Sequence, residues 1–144
     1  MRVLGNILWL IFGGLIMALG YAVAGIMMFL LIITIPFGIQ AFKLAGFTLW
    51  PFGSVMVERP GSGGCITVVG NVIWVLLAGI WLAIGHLIAA LFLAITIIGI
   101  PFAIANVKLA GAALVPFGKS VMSAEAAETQ RYRVVLAVAP LDER

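Results

Sequence analysis

The chain has 144 residues, 65% of them hydrophobic and only 9% charged. A soluble domain is roughly 45–50% apolar with about 25% charge, and so short a chain cannot hide the excess inside itself, so a soluble globular protein is excluded and lipid is the solvent for most of it. The formal net charge of +3 does not point to nucleic acid, because Lys and Arg stand singly between apolar blocks and form no patch or stripe; the single cysteine, Cys65, excludes an intrachain disulfide and any cysteine-based metal cluster.

The first apolar block, residues 3–35, carries no charge, with Asn6 near its start and Gln40 just beyond its end. As one straight helix it would run about 50 Å at ~1.5 Å per residue, well over the ~30 Å hydrocarbon core. A tight transmembrane hairpin is therefore preferred to one tilted helix. Its turn is expected at Leu19-Gly20-Tyr21, since glycine permits a turn and tyrosine suits the membrane–water boundary. Arg2, the apolar run and Ala22-Val23-Ala24 imitate a signal peptide, but the same pattern recurs inside the chain, which argues against cleavage.

Next comes a cassette, Ile35-Pro-Phe-Gly to Pro51-Phe-Gly53. Pro36 reads as opening a short helix. With Ile39, Phe42 and Leu49 near one face and Gln40 and Lys43 away from it, this helix is expected to be weakly amphipathic and to lie in or dip into the interface. Lys43 is expected to snorkel toward headgroups and Trp50 to mark the interfacial belt. A flexible polar linker, Arg59-Pro-Gly-Ser-Gly-Gly64, follows.

The pattern then returns without a gap. Residues 6–53 align on 71–118 with twenty identities in 48 positions, among them Asn6/Asn71, Trp9/Trp74, Gly14/Gly79, Gly20/Gly85, Pro36/Pro101 and Lys43/Lys108. The second block has Ile84-Gly85-His86 at the expected turn. Lys119 closes the second copy, and a polar tail follows, read as a helix from Ser123 to Arg133, capped by Ser123 or a neighbour, and a brief apolar run, 134–139. The organisation is thus a first repeat at 2–57, a linker at 58–65, a second repeat at 66–122 and a polar cytoplasmic tail at 123–144. Two crossings per copy make the repeats parallel and put every Lys and Arg on one side, as the positive-inside bias requires, with both termini cytoplasmic. The fold class is an all-α integral membrane protein of two tandem parallel repeats, each a tight helical hairpin followed by a short interfacial amphipathic helix.

The candidate sites have plain structural readings beside functional ones. Lys43, Lys108 and Lys119, with Trp50, are read as interfacial or lipid anchors before pore or headgroup ligands. Asn6, Asn71, Gln40 and Asn106 read as amides that bond neighbouring helices before a substrate path. Tyr21 and His86 read as boundary residues; His86 as a proton relay lacks any carboxylate within the apolar blocks. Gly14, Ala18 and Ala22, echoed by Gly79 and Ala83, form a small-residue stripe that lets helices or protomers pack closely. No cofactor or metal site is expected.

The order Asn-x-x-Trp, Gly, long apolar run, Ile-Pro-Phe, Lys-Leu, Pro-Phe-Gly, met twice over about residues 2–123, resembles the YccF-type inner membrane component domain. That resemblance implies a bacterial inner membrane protein of unassigned activity, with two membrane segments per copy. Some larger relatives carry the domain beside cation-exchanger modules, a pointer to transport. The family supplies no catalytic residues. The leading reading is a membrane-embedded accessory or scaffold module packing with itself, lipid or partner membrane proteins; the alternative is a subunit of an oligomeric channel or transporter. An enzyme is least supported, since acid–base work needs a positioned pair of titratable groups.

Overall fold

The structure, a computed structural model, describes residues 2–130 and 134–138. Four apolar helices and a small sheet make up the fold. Each apolar block is one long helical element: α1 spans Arg2–Phe29 with a kink at Phe12-Gly13, and α3 spans Cys65–Ala94. Each cassette is a shorter helix: α2, Ile35–Leu49, and α4, Ile100–Leu114. Helix α2 packs back on α1, and α4 on α3.

The expected turn at Gly20 and Gly85 is therefore wrong in place, because both glycines lie inside continuous helix. The reason is the solvent. In hydrocarbon, opening the backbone leaves polar groups that no water can satisfy, so the helix runs on through these two glycines. The chain reverses instead at 30–34 and 95–99, where Thr34 Oγ1 donates to the carbonyls of Met28 (2.5 Å) and Leu31 (2.9 Å) and Thr96 Oγ1 to that of Leu93 (3.2 Å). Pro36 and Pro101 are the second residues of α2 and α4, where a missing N–H leaves no gap in the helical ladder. Each repeat is thus a helical hairpin with the cassette as its second leg rather than a separate interfacial helix. Two legs per copy keep the repeats parallel.

The legs are unequal. At ~1.5 Å per residue α1 reaches about 42 Å, the depth of a bilayer with its headgroups, while α2 reaches only about 22 Å. The space above the short legs is filled by a feature that an all-α reading omits. Strands β1 (Ser54–Glu58), β2 (Lys119–Ser123) and β3 (Val134–Ala137) form an antiparallel sheet in the order β2-β1-β3. One sheet face, with Met56, Val121 and Leu136, joins the helical core; Val55 and Val57 on the other face pack with Ala124 and Ala127 of α5 (Ala124–Thr129). Ser123 caps α5 through a 3.2 Å bond from the Ala126 N–H. Residues 124–130 and 134–138 are thus part of the folded layer; Arg131, Arg133, Asp142, Glu143 and Arg144 lie outside the described residues.

The sheet also fixes the symmetry. Met56 pairs with Val121, its own equivalent in the second repeat. An antiparallel ladder centred on equivalent residues has a local twofold axis through that pair. The same relation recurs below it, where Leu82 approaches Gly20 and Met17 approaches Gly85, so the two glycines seat each other's neighbouring helix.

Candidate functional site

Three polar arrangements stand out, and repeat symmetry explains two of them. The first is a clamp. Asn6 and Trp9 lie one turn apart on α1, so both face α2. The Asn6 side chain donates to the Phe52 carbonyl (2.8 Å) and accepts from the Phe52 N–H (3.0 Å), while the Trp9 indole N–H donates to the Thr48 carbonyl (2.7 Å). Asn71 and Trp74 do the same to Phe117 and Ala113, with the indole bond at 2.6 Å. The Asn-x-x-Trp signature thus fastens the Pro-Phe-Gly turn and the open carbonyls at the end of the cassette helix. Gly14 and Gly79 complete it, since a Cβ on either would strike the indole of Trp9 or Trp74. These two members of the small-residue stripe seat an aromatic ring within their own repeat; Ala18 and Ala83 are buried and Ala22 is half-buried.

The second arrangement uses the lysines. Lys43 Nζ donates to Gln40 Oε1 and to the carbonyls of Pro116 (2.5 Å) and Lys119 (2.9 Å). Lys108 Nζ donates to the carbonyls of Ala137 (3.3 Å) and Val138 (3.1 Å). Each amine rises from mid-cassette into the sheet layer. Lys119 is partly buried in β2; desolvation lowers its pKa, and Glu58, its cross-strand partner, opposes that shift. Trp50 is exposed at the end of α2.

The third arrangement lies on the axis. Tyr21 and His86 are equivalent positions, both fully buried, and they meet at 3.2 Å between the tyrosine hydroxyl and Nε2. His86 is not a boundary residue: it sits inside α3, and partners rather than interfacial water meet its polarity. Asn106 donates to the Phe102 carbonyl (3.1 Å), which turns its Oδ1 toward His86 Nδ1 at 2.8 Å. Nδ1 therefore carries the proton and Nε2 accepts from Tyr21. The buried Thr48 side chain neighbours the Tyr21 hydroxyl in turn. The chain Thr48–Tyr21–His86–Asn106 takes one residue from each of the four helices. Reading the sequence missed Thr48, although two polar residues at equivalent positions in otherwise apolar blocks were a signal for an axial contact. Among the described residues no group of three His, Cys, Asp or Glu is placed to hold a metal.

Two apolar helical hairpins of one module, related by a local twofold, define a duplicated integral membrane protein whose interior polar groups face one another. The inner membrane component domain, YccF, matches residues 4–54 and 69–119, and the chain belongs to that family. It is 32% identical over 139 residues to "Inner membrane protein YccF" of Escherichia coli (strain K12), covering 91% of this chain and 94% of that relative. The same figures hold for the Shigella flexneri protein of that name. No solved structure matches.

Proposed function

We propose that this chain is a membrane-embedded scaffold or accessory module, not an enzyme, that packs against itself, lipid or partner membrane proteins. Its sheet layer and both termini face the cytoplasm. The observation that carries this reading is the axial chain: the polar side chains at the centre are spent on joining the four helices. No buried side-chain nitrogen or oxygen among the described residues lacks a partner. A carrier instead turns unsatisfied polar groups toward a central cavity at the midplane. The lysines support the same reading, since their amines bond backbone carbonyls. The large apolar exposure of α1 and α3 leaves broad faces for lipid, a second copy or another membrane protein.

The test is flux. Proteoliposomes carrying the protein should pass protons, potassium, chloride and glycerol no faster than protein-free vesicles; flux above that background, abolished by His86→Ala, would overturn the scaffold reading in favour of an oligomeric channel or transporter. Orientation is tested at Cys65, exposed at the start of α3. A membrane-impermeant maleimide should label it only after spheroplast lysis. A homo-oligomer is expected by native mass spectrometry in detergent, and a stable monomer there would remove self-packing from the proposal.

A further inference from the structure

Beside the second Pro-Phe-Gly turn lies an open basin of about 870 Å³, lined by Glu58, Arg59, Ser62, Thr67, Lys119 and Gln130 among others. Directly next to it is a wholly apolar furrow of about 460 Å³, walled by Val68, Val72, Val75, Leu76, Leu114 and Val115. The two share Asn71 and Val115, so a polar compartment at the sheet end opens into an apolar one running along α3. From Val68 to Leu76 the furrow covers about 12 Å of helix, starting one turn below the sheet layer. This succession of polar then apolar space along the bilayer normal matches an amphiphile with a compact head.

The basin is built rather than loose. The Arg59 N–H donates to the Gly118 carbonyl (2.9 Å), and the Ser62 hydroxyl lies 2.6 Å and 2.8 Å from the carbonyls of Arg59 and Gly118. The segment read as a flexible linker is therefore pinned to the second repeat's turn. Arg59 Nε and Nη2 both lie 3.3 Å from Ser120 Oγ, which holds the guanidinium in place. Two cations, Arg59 and Lys119, face one carboxylate, Glu58, a surplus of one positive charge, with the Lys43 amine beneath on the Lys119 carbonyl. The first turn of α3, at Thr67, adds the partial positive charge of a helix N-terminus. A single phosphodiester carries the charge that balances this surplus.

The equivalent place in the first repeat is occupied. There α5 lies over the turn, tied by the Ala124 N–H to the Gly53 carbonyl (3.0 Å) and by the Arg2–Glu125 pair (3.2 Å). The position of Val115 is taken by Trp50, an indole in place of an isopropyl group. We propose that the second repeat binds one monoanionic phospholipid of the surrounding membrane, its phosphodiester between Arg59 and Lys119 and one acyl chain in the furrow between α3 and α4. This stands apart from the scaffold reading, since a channel subunit could carry the same lipid.

Native mass spectrometry of the full chain in detergent, titrated separately with palmitoyl-oleoyl phosphatidylglycerol and phosphatidylcholine, tests it. One phosphatidylglycerol should bind per chain, preferred about fivefold or more, on the order of one surface cation's contribution. Arg59→Ala with Lys119→Ala should erase that preference, because both lost groups are side chains while the backbone bonds at Gly118 and Lys119 remain. Val72→Phe should weaken both lipids; Leu76→Trp, at a side chain 72% exposed, provides a second closure if the first variant misfolds. Equal binding of the two lipids by the native protein, or an unchanged preference in the double variant, would overturn the proposal. So would displacement of the lipid by soluble glycerol 3-phosphate at equal concentration, which would make this a site for a free phosphate compound.

Discussion

The two repeats share a backbone plan but differ in how full they are. In the first, Phe29 and Phe42 stack at 5.5 Å over Gly25, α5 covers the turn, and α1 kinks where Gly13 takes φ 119°. In the second, the equivalents of the stacked pair are Ala94 and Val107, over Ala90, and an apolar groove of about 620 Å³ runs there down to Lys108. Ala78 replaces Gly13, and α3 passes the same point without a left-handed residue. On the axis Tyr21 faces His86, and Ala41 has become Asn106. The lesson is that duplication kept the clamp, where both copies need the same bonds, and released the lipid-facing sides to diverge. The first repeat is the closed copy and the second the open one.

The clamp is where the copies should respond alike and most strongly. Trp9→Ala and Trp74→Ala each remove a fully buried indole and its bond, and each should lower stability by about 3–5 kcal/mol, read as the shift in a thermal or SDS unfolding curve. A loss at one site only would show that the repeats are not equivalent there. The axis should respond less. His86→Ala takes the imidazole partner from the Tyr21 hydroxyl and from Asn106 Oδ1 and should cost about 1–3 kcal/mol; Asn106→Ala should be smaller, because the first copy already carries alanine at that position. Phe42→Ala opens in the first copy the groove that the second already has, and should cost about 0.5–1.5 kcal/mol, the range of one aromatic pair, while Val107→Phe at the opposite site should be neutral or stabilising in the same assay.

The smallest effect is one of pH. The folded-state pKa of Lys119 is lowered, chiefly by desolvation. The unfolded chain therefore holds its proton to higher pH than the folded one, so stability should rise as pH climbs from that lowered value toward the ordinary lysine range. Lys119→Gln should flatten this part of the pH profile. An unchanged slope would remove burial of Lys119 as its cause.

Much of this was legible in the sequence because it follows from composition and spacing. Twenty identities at a fixed offset of sixty-five residues give the duplication, and the apolar blocks give the membrane. Two features were not legible. The turn was misplaced because glycine permits a turn, whereas Gly20 and Gly85 stay helical and serve close approach of the neighbouring helix. The sheet was missed because its strands are four or five residues long and come from 54–58, 119–123 and 134–137, so that no local window contains a ladder. For the same reason Arg59 read as part of a flexible linker, though it is fixed by a carbonyl some sixty residues away.

The sequence by itself determined that the protein lives in a membrane, that it is one module twice, and that Asn-x-x-Trp and Pro-Phe-Gly belong together, since each recurs at the same distance from the other. Only the tertiary structure decided what those residues bond and where the chain turns. It also decided that Tyr21 and His86 meet on an axis and that one copy is closed while the other stays open. The physical reason is common to all of these. Hydrophobicity acts on each segment locally and can be summed along the chain. A hydrogen bond between positions 21 and 86, or a ladder between 56 and 121, exists only once four helices have been set side by side.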